Sequence, residues 1–238
     1  MYQNYLFDLY GTLVDISTEE AGIGFWERVA EFYGFQGAYY AVCELQKRYL
    51  ELCEEFKQEP PYYTYKEIRL ERVFARLYKE KEVEPDEVLT KHTAQVFRLL
   101  STNYINVYEG TFELLSYMKE KGKKIYLLSN AQRSFTEYEL KYLALHNKFD
   151  GIVISSDVGC TKPETAIFEY ILKKYSLNKE ESVMIGNDAV SDIHGAHMAG
   201  IDSIYLHSNL SPEIAGPLEA TYTIFDGDLM KVKEYIRE

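Results

Sequence analysis

Asp8 closes an apolar run and opens a polar turn, in Tyr-Leu-Phe-Asp-Leu-Tyr-Gly-Thr-Leu-Val-Asp over residues 5–15. A carboxylate set straight after Leu6-Phe7 and just before Gly11-Thr12 reads as the tip of a buried strand, facing the crevice where open α/β sheets hold ligands. An acid so placed can attack an electrophile and carry the transferred group covalently. Three more polar groups follow apolar runs. Ser129-Asn130, after Ile125–Leu128, offers a hydroxyl, an amide and turn N–H groups to anionic oxygens. The capping-box spacing of Ser134 and Glu137 is the plainer account of that turn. Pro163 suits the first position of a helix through Ile167 and Ile171, which would set Lys162 at the helix mouth. A cation is unfavourable there, so Lys162 needs either water or an anionic partner. Finally, Gly186-Asn187-Asp188-Ala189-Val190-Ser191-Asp192 carries two acids four apart. They suit a hard cation such as Mg²⁺, or simply cap the next helix.

These groups need a scaffold that brings strand tips together. From about Thr111, β-rich runs at 125–128, 151–154, 182–185 and 203–206, with a further one at 222–225, alternate with helical stretches near 134–145, 164–175 and 191–200. That rhythm predicts an α/β fold with a largely parallel sheet, which the strand ending at Asp8 would join. Residues 16 to about 100 follow a different rule. Phe25, Val29, Phe32 and Tyr33, then Val42, Leu45, Tyr49 and Leu52, recur at helical spacing, with a break near Gly34 and Gly37. Two more helices are expected at Lys66–Tyr78 and Asp86–Leu100. The expected division is therefore a core of 1–15 and 101–238, with a helical insertion at 16–100.

Composition narrows the partners. Among 238 residues, 26 are basic and 38 acidic, giving a net charge of −12. Such a surface repels nucleic acid and anionic membranes, and an anionic substrate would need a local cationic site. No apolar segment approaches the roughly 20 residues of a membrane span, and Met-Tyr-Gln-Asn-Tyr does not read as a secretory signal. Cys43, Cys53 and Cys160 are few and odd in number, which suits a reducing cytoplasm. The five histidines show no zinc-like pairing. Tyr62, Tyr63 and Tyr65, after a double proline, are candidates to line a substrate pocket, and Arg133 to reach an anion.

Four motifs in this order, spaced over the whole core, resemble the haloacid dehalogenase-like hydrolases, most of which are phosphatases with a Rossmann-like, doubly wound parallel sheet and, in one subgroup, a helical cap after the first motif. The resemblance implies that Asp8 is the nucleophile and that Thr12, Ser129 and Asn130 hold the oxygens of a small phosphate ester. Lys162 would steady the developing charge. Mg²⁺ would lie on Asp8, the Tyr10 carbonyl and a side chain of the fourth motif, Asn187 or Asp188, supported by Asp192. Two positions depart from the family pattern. Phosphatases of this family usually carry a second acid where this chain has Tyr10, and a tyrosine there is similar to the 2-haloacid dehalogenases. Asn187 stands where many relatives have an acid, although Asp188 also fits a shorter variant. Counting charge favours the phosphatase: Asp8, Asp188 and Asp192 against Lys162 leave a pocket that a phosphate dianion enters only beside a divalent ion. A dehalogenase, and a binding or regulatory protein that kept the fold, are the competing expectations.

Overall fold

The computed structural model describes residues 2–236. Its central strand is Asn4–Phe7 (β1), buried along its whole length as a strand covered on both faces must be. It lies parallel between Lys124–Ser129 (β4) and Ser182–Gly186 (β6). Gly151–Ile154 (β5), Asp202–Leu206 (β7) and Tyr222–Ile224 (β8) complete a six-stranded parallel sheet of order β5-β4-β1-β6-β7-β8. The chain builds outward from β1 through β4 and β5, then returns to build β6, β7 and β8 on the other side. The order therefore reverses beside β1, and ligand crevices form at the carboxyl ends of strands at such a point. This is the parallel α/β sheet that the alternation predicts, with the Rossmann-like form that the resemblance implies.

Period-two alternation assigns the two faces. Tyr5 and Phe7 pack with Leu127 and Ile185 under Thr111–Glu120 (α5), whose Leu114, Leu115 and Met118 are fully buried. Leu6 points the other way, with Leu128 and Met184, under Ile167, Phe168 and Ile171 of Thr165–Tyr175 (α8). Arg133–Tyr142 (α6) follows β4, and Ser155–Val158 (α7) is a single turn after β5. After β6 the chain makes a π-helical turn, Ala189–His194, that runs into Gly195–Ala199 (α9).

Val14–Thr18 (β2) and Thr102–Val107 (β3) pair with each other as an antiparallel ribbon. Periodicity gave no sign of this ribbon, whose β2 spans the first expected junction of the insertion and whose β3 starts just past the second. The described elements between its strands are helices: Ile23–Phe35 (α1), Val42–Lys57 (α2), Leu70–Lys79 (α3) and Glu87–Ser101 (α4). They share an aromatic cluster in which the ring of Phe97 meets those of Phe25, Trp26, Tyr49 and Phe74. Phe135 of α6 joins it, so helices and core meet through apolar contact. The expected helix at 66–78 starts later, at Leu70, because Lys66 is paired with Cys160 in a β-bridge and Glu67 N–H donates to the Gly159 carbonyl. Tyr65 accepts from the N–H of Thr161. The segment before α3 thus lies along the loop that carries Lys162.

Candidate active site

Asp8 directly follows β1, and its N–H donates to the carbonyl of Ile185 at the tip of β6. Asp8 is buried, its side chain 11% exposed, and its carboxylate accepts from Lys162 Nζ at 2.7 Å. The same ammonium donates to Asp192 Oδ1 at 2.6 Å and to the Leu128 carbonyl at 2.8 Å, which uses its three protons. Burial pulls the Lys162 pKa down, but Asp192 and Asp8 outweigh it, so it is raised and the ammonium persists. Burial, chiefly, pushes the Asp192 carboxyl up to about 7, against the opposing pull of Lys162. Lys162 is not at a helix mouth: α8 begins at Thr165 with Glu164 as its N-cap, and Pro163 precedes both. The penalty expected from the helix dipole does not arise, and two carboxylates supply the anionic partner.

Asn130 holds this lysine by its backbone. Its Oδ1 accepts from Lys162 N–H at 2.8 Å and its Nδ2 donates to the Lys162 carbonyl at 2.9 Å. The side chain expected to grip substrate oxygens is engaged with the protein at both ends. The N–H groups of the following turn are engaged too, Ala131 with Ser155 Oγ and Arg133 with Ser156 Oγ. Ser134 does not form a capping box, since it lies inside the first turn of α6, and its buried Oγ has no partner among the described residues. Ser129 differs from its neighbours. It ends β4 fully buried, and its Oγ has no hydrogen-bond partner among the described residues. An orphaned hydroxyl at that depth costs stability unless something enters to meet it.

The fourth motif divides into separate tasks. Asp188 caps the π-helical turn, accepting from Val190 N–H and Ser191 N–H at Oδ1 and from the Ser191 hydroxyl at Oδ2. Asp192 Oδ2 accepts from Asp188 N–H, so its two oxygens serve Lys162 and the loop. It sits that close because Gly186 has no side chain: a Cβ there would lie 2.2 Å from the Asp192 carboxyl. Asn187 Oδ1 accepts from the Thr12 hydroxyl at 3.2 Å. Its amide lies against Gly11, whose φ of +87° and absent Cβ make room for it. Thr12 therefore engages Asn187 and lines an adjoining cleft of about 300 Å³. Asp8, Tyr10, Asn130, Lys162, Asn187 and Asp188 share a cleft of about 170 Å³, walled in part by Leu210 and Pro212.

Among the described residues no group of three or more His, Cys, Asp or Glu is arranged to hold a metal. Mg²⁺ does not require one, since it keeps several waters and takes only one or two carboxylates. The donors around the cleft are all hard oxygens, and three carboxylates there face one ammonium, so the donor set fits that ion. Asp188 and Asp192 are each engaged on both oxygens, Asp188 with its own turn and Asp192 with the Lys162 ammonium and the Asp188 N–H, so Asp192 is the one tied to the buried cation.

Tyr10 lies two residues past Asp8. Its hydroxyl donates to Glu139 of α6 in a short bond and lies 3.1 Å from Thr136 Oγ1. Arg98 of α4 donates to Glu139 at 2.6 Å and stacks over the Tyr10 and Phe135 rings. Burial, then Glu139, raises the Tyr10 pKa far above the usual range, so its proton stays in place. Sequence reasoning missed Arg98, Thr136 and Glu139. A polar residue on one helix face carries no sign of which loop it meets. Arg133, a candidate for an anion, pairs with Asp157 instead. Tyr62 and Tyr65 are exposed, and neither lines the Asp8 cleft. His194 and His197 face Glu219 on the surface.

A model of the haloacid dehalogenase-like hydrolases matches residues 5–206. The chain is 33% identical over 132 residues to a glyceraldehyde 3-phosphate phosphatase of Methanothermobacter thermautotrophicus, a match covering 54% of this chain and 58% of that enzyme. It is 27% identical over 162 residues to a phosphoserine phosphatase of Thermus thermophilus, covering 68% of this chain and 63% of that one. Each match spans less than two thirds of the relative's length. A 2-haloacid dehalogenase from Pseudomonas syringae superposes with a TM-score of 0.66 at 20% identity, over 98% of this chain and 97% of that one. At that identity the likeness concerns the fold alone. Among the described residues no helix is long and apolar enough to cross a membrane.

Proposed function

The chain belongs to the haloacid dehalogenase-like hydrolases, and on that premise we propose that it hydrolyses the phosphate ester of a small metabolite through Asp8. The observation that carries this reading is the strand-tip carboxylate on a buried ammonium, with the unpartnered Ser129 hydroxyl at the tip of the neighbouring strand. The named phosphatases among the relatives support the same substrate class. Asp8 attacks phosphorus, and the Asp8–phosphorus bond forms as the ester P–O bond breaks and the electron pair leaves with the alcohol. Water then attacks the acyl phosphate, releasing inorganic phosphate and restoring the carboxylate. Lys162 holds Asp8 in one orientation and, itself buried, offsets charge where screening is weak. Asp192 and Asn130 position Lys162, one at its ammonium and the other at its backbone. Ser129 is assigned to a phosphoryl oxygen. Mg²⁺, on Asp8, the Tyr10 carbonyl and Asn187 or Asp188, would offset the charge of an incoming phosphate dianion. We read α1–α4 as the family's helical cap. A cleft of about 170 Å³ suits a phosphoryl group, so the organic part of the substrate must lie outside it.

Tyr10 favours a second reading, since a dehalogenase displaces halide and needs no leaving-group acid. One assay separates the two: p-nitrophenyl phosphate with Mg²⁺ or with EDTA, alongside a 2-haloacid. Phosphatase activity that EDTA removes, and that falls by about a hundredfold or more in Asp8→Asn with an unchanged circular dichroism spectrum, is the expected result. Metal-independent halide release would establish the dehalogenase instead. Turnover of neither substrate would leave a binding protein.

A further inference from the structure

Beyond Tyr10, where α4 and β3 meet α6, lies a separate cavity of about 550 Å³ that shares no lining residue with the Asp8 cleft. Its volume is in the range of sites for small organic ligands. Leu99, Ile105, Tyr104, Phe135, Tyr138 and Tyr142 supply its apolar wall. Leu99 and Tyr142 are 73% and 79% exposed, and Tyr104 and Tyr138 are also open to solvent. Large apolar side chains gathered in the open, rather than scattered, mark a binding surface. The charges lining the cavity are matched to each other, since Arg98 donates to Glu139 at 2.6 Å, and the two lysines over the Tyr138 ring at its rim, Lys91 and Lys141, both pair with Glu137. Two other lining residues are unmatched. Ser134 Oγ and Gln95 Nε2 are buried without a hydrogen-bond partner among the described residues. Buried polar atoms are nearly always paired, so two orphans beside one cavity point to a missing polar edge.

We propose that this cavity is a binding site for an uncharged planar heteroaromatic molecule of nucleoside size, with its ring against the tyrosines and its polar edge toward Ser134 and Gln95. Flat rings suit aromatic walls, the engaged Arg98–Glu139 pair selects a neutral ligand, and a hydrogen-bonding edge meets the orphaned hydroxyl and amide. The site does not depend on Asp8 chemistry.

Calorimetry on the intact chain tests it, with uridine, adenosine and indole as probes and glucose as a neutral control without an aromatic ring. At least one ring compound should bind with a Kd of about 1 mM or tighter, and glucose should not bind. Ser134→Ala should weaken that binding by about fivefold, the worth of one hydrogen bond. Because it removes an unpartnered buried hydroxyl, it should leave thermal stability equal or higher. Leu99→Arg, an exposed change at the rim, should abolish binding without affecting the fold. Absence of binding by all three rings overturns the proposal. So does binding that neither variant alters, equal binding of glucose, or displacement of the ring compound by inorganic phosphate, which would place it in the Asp8 cleft.

Discussion

Tyr10 is the residue whose chemistry most changes what this site should do. A phosphatase of this family would place an acid there to protonate the leaving alcohol, whereas the Tyr10 hydroxyl is directed into Glu139 and keeps its proton. Catalysis should therefore depend strongly on how well the leaving group departs unaided. Across a series of substituted aryl phosphates, log kcat/KM should fall steeply as leaving-group pKa rises, and alkyl phosphates should be poor substrates. A flat dependence would mean that a proton donor exists after all. Tyr10→Phe should change turnover by no more than a few-fold. It should lower stability by about 1–2 kcal/mol, because Glu139 then loses a buried donor but keeps Arg98. Loss of activity by two orders of magnitude in that variant, with a high-pH fall present in the wild-type profile and absent from the variant's, would make Tyr10 the acid.

Elements matter here because each strand tip brings only part of the site. β1 carries Asp8, β4 carries Ser129 and Asn130, and the loop before α8 carries Lys162. The two hydrogen bonds from Asn130 to the Lys162 backbone join the β4 tip to that loop. Asn130→Ala should therefore cost about 1–3 kcal/mol in urea unfolding, since it leaves a donor and an acceptor unmatched. It should lower kcat by about tenfold or more, with KM less affected, because the lysine is displaced rather than removed. An unchanged kcat would show that the three partners of its ammonium, Asp8, Asp192 and the Leu128 carbonyl, suffice to hold Lys162. On the other side of the cleft, Gly11 and Gly186 let the Asn187 and Asp192 side chains lie against the backbone of neighbouring elements.

At the scale of the molecule, the 22 tyrosines set how the fold responds to base. Burial raises Tyr5 and Tyr78 to about 12 and holds Tyr33 well above its usual value, and all three are 0% exposed. In the unfolded chain they titrate near pH 10. Between pH 10 and 12 the unfolded state therefore binds fewer protons than the folded one, and stability falls as pH rises. Each of the three contributes a slope of at most about 1.4 kcal/mol per pH unit. Below pH 9 both states hold these protons, and the tyrosines add no pH dependence. A titration followed at 295 nm should show a class of tyrosines that ionises only as the far-ultraviolet circular dichroism is lost. Smooth ionisation of all tyrosines near pH 10 with the native spectrum retained would refute this.

All six of the sheet's strands, all four helices between β2 and β3, and the residues at the strand tips were legible in the sequence. Local periodicity and strand-end polarity are properties of neighbouring residues, and they survive without knowledge of the fold. Even the capping role of Asp188 was open to view, because a cap engages residues two and three positions on. The β2–β3 ribbon was not, since its partners are drawn from segments about 90 residues apart and neither strand alternates cleanly. The site's internal allegiances also needed the tertiary structure. Asn130 and Asp192 could each have faced substrate or metal, and only the packing of loops from three strands turns both toward Lys162. Tyr10 could have reached a leaving group, but α6 and α4 set Glu139 and Arg98 against it, 129 and 88 residues along the chain. A side chain's type determines what bonds it can make. Which of them it makes is decided by what the fold brings within 3 Å.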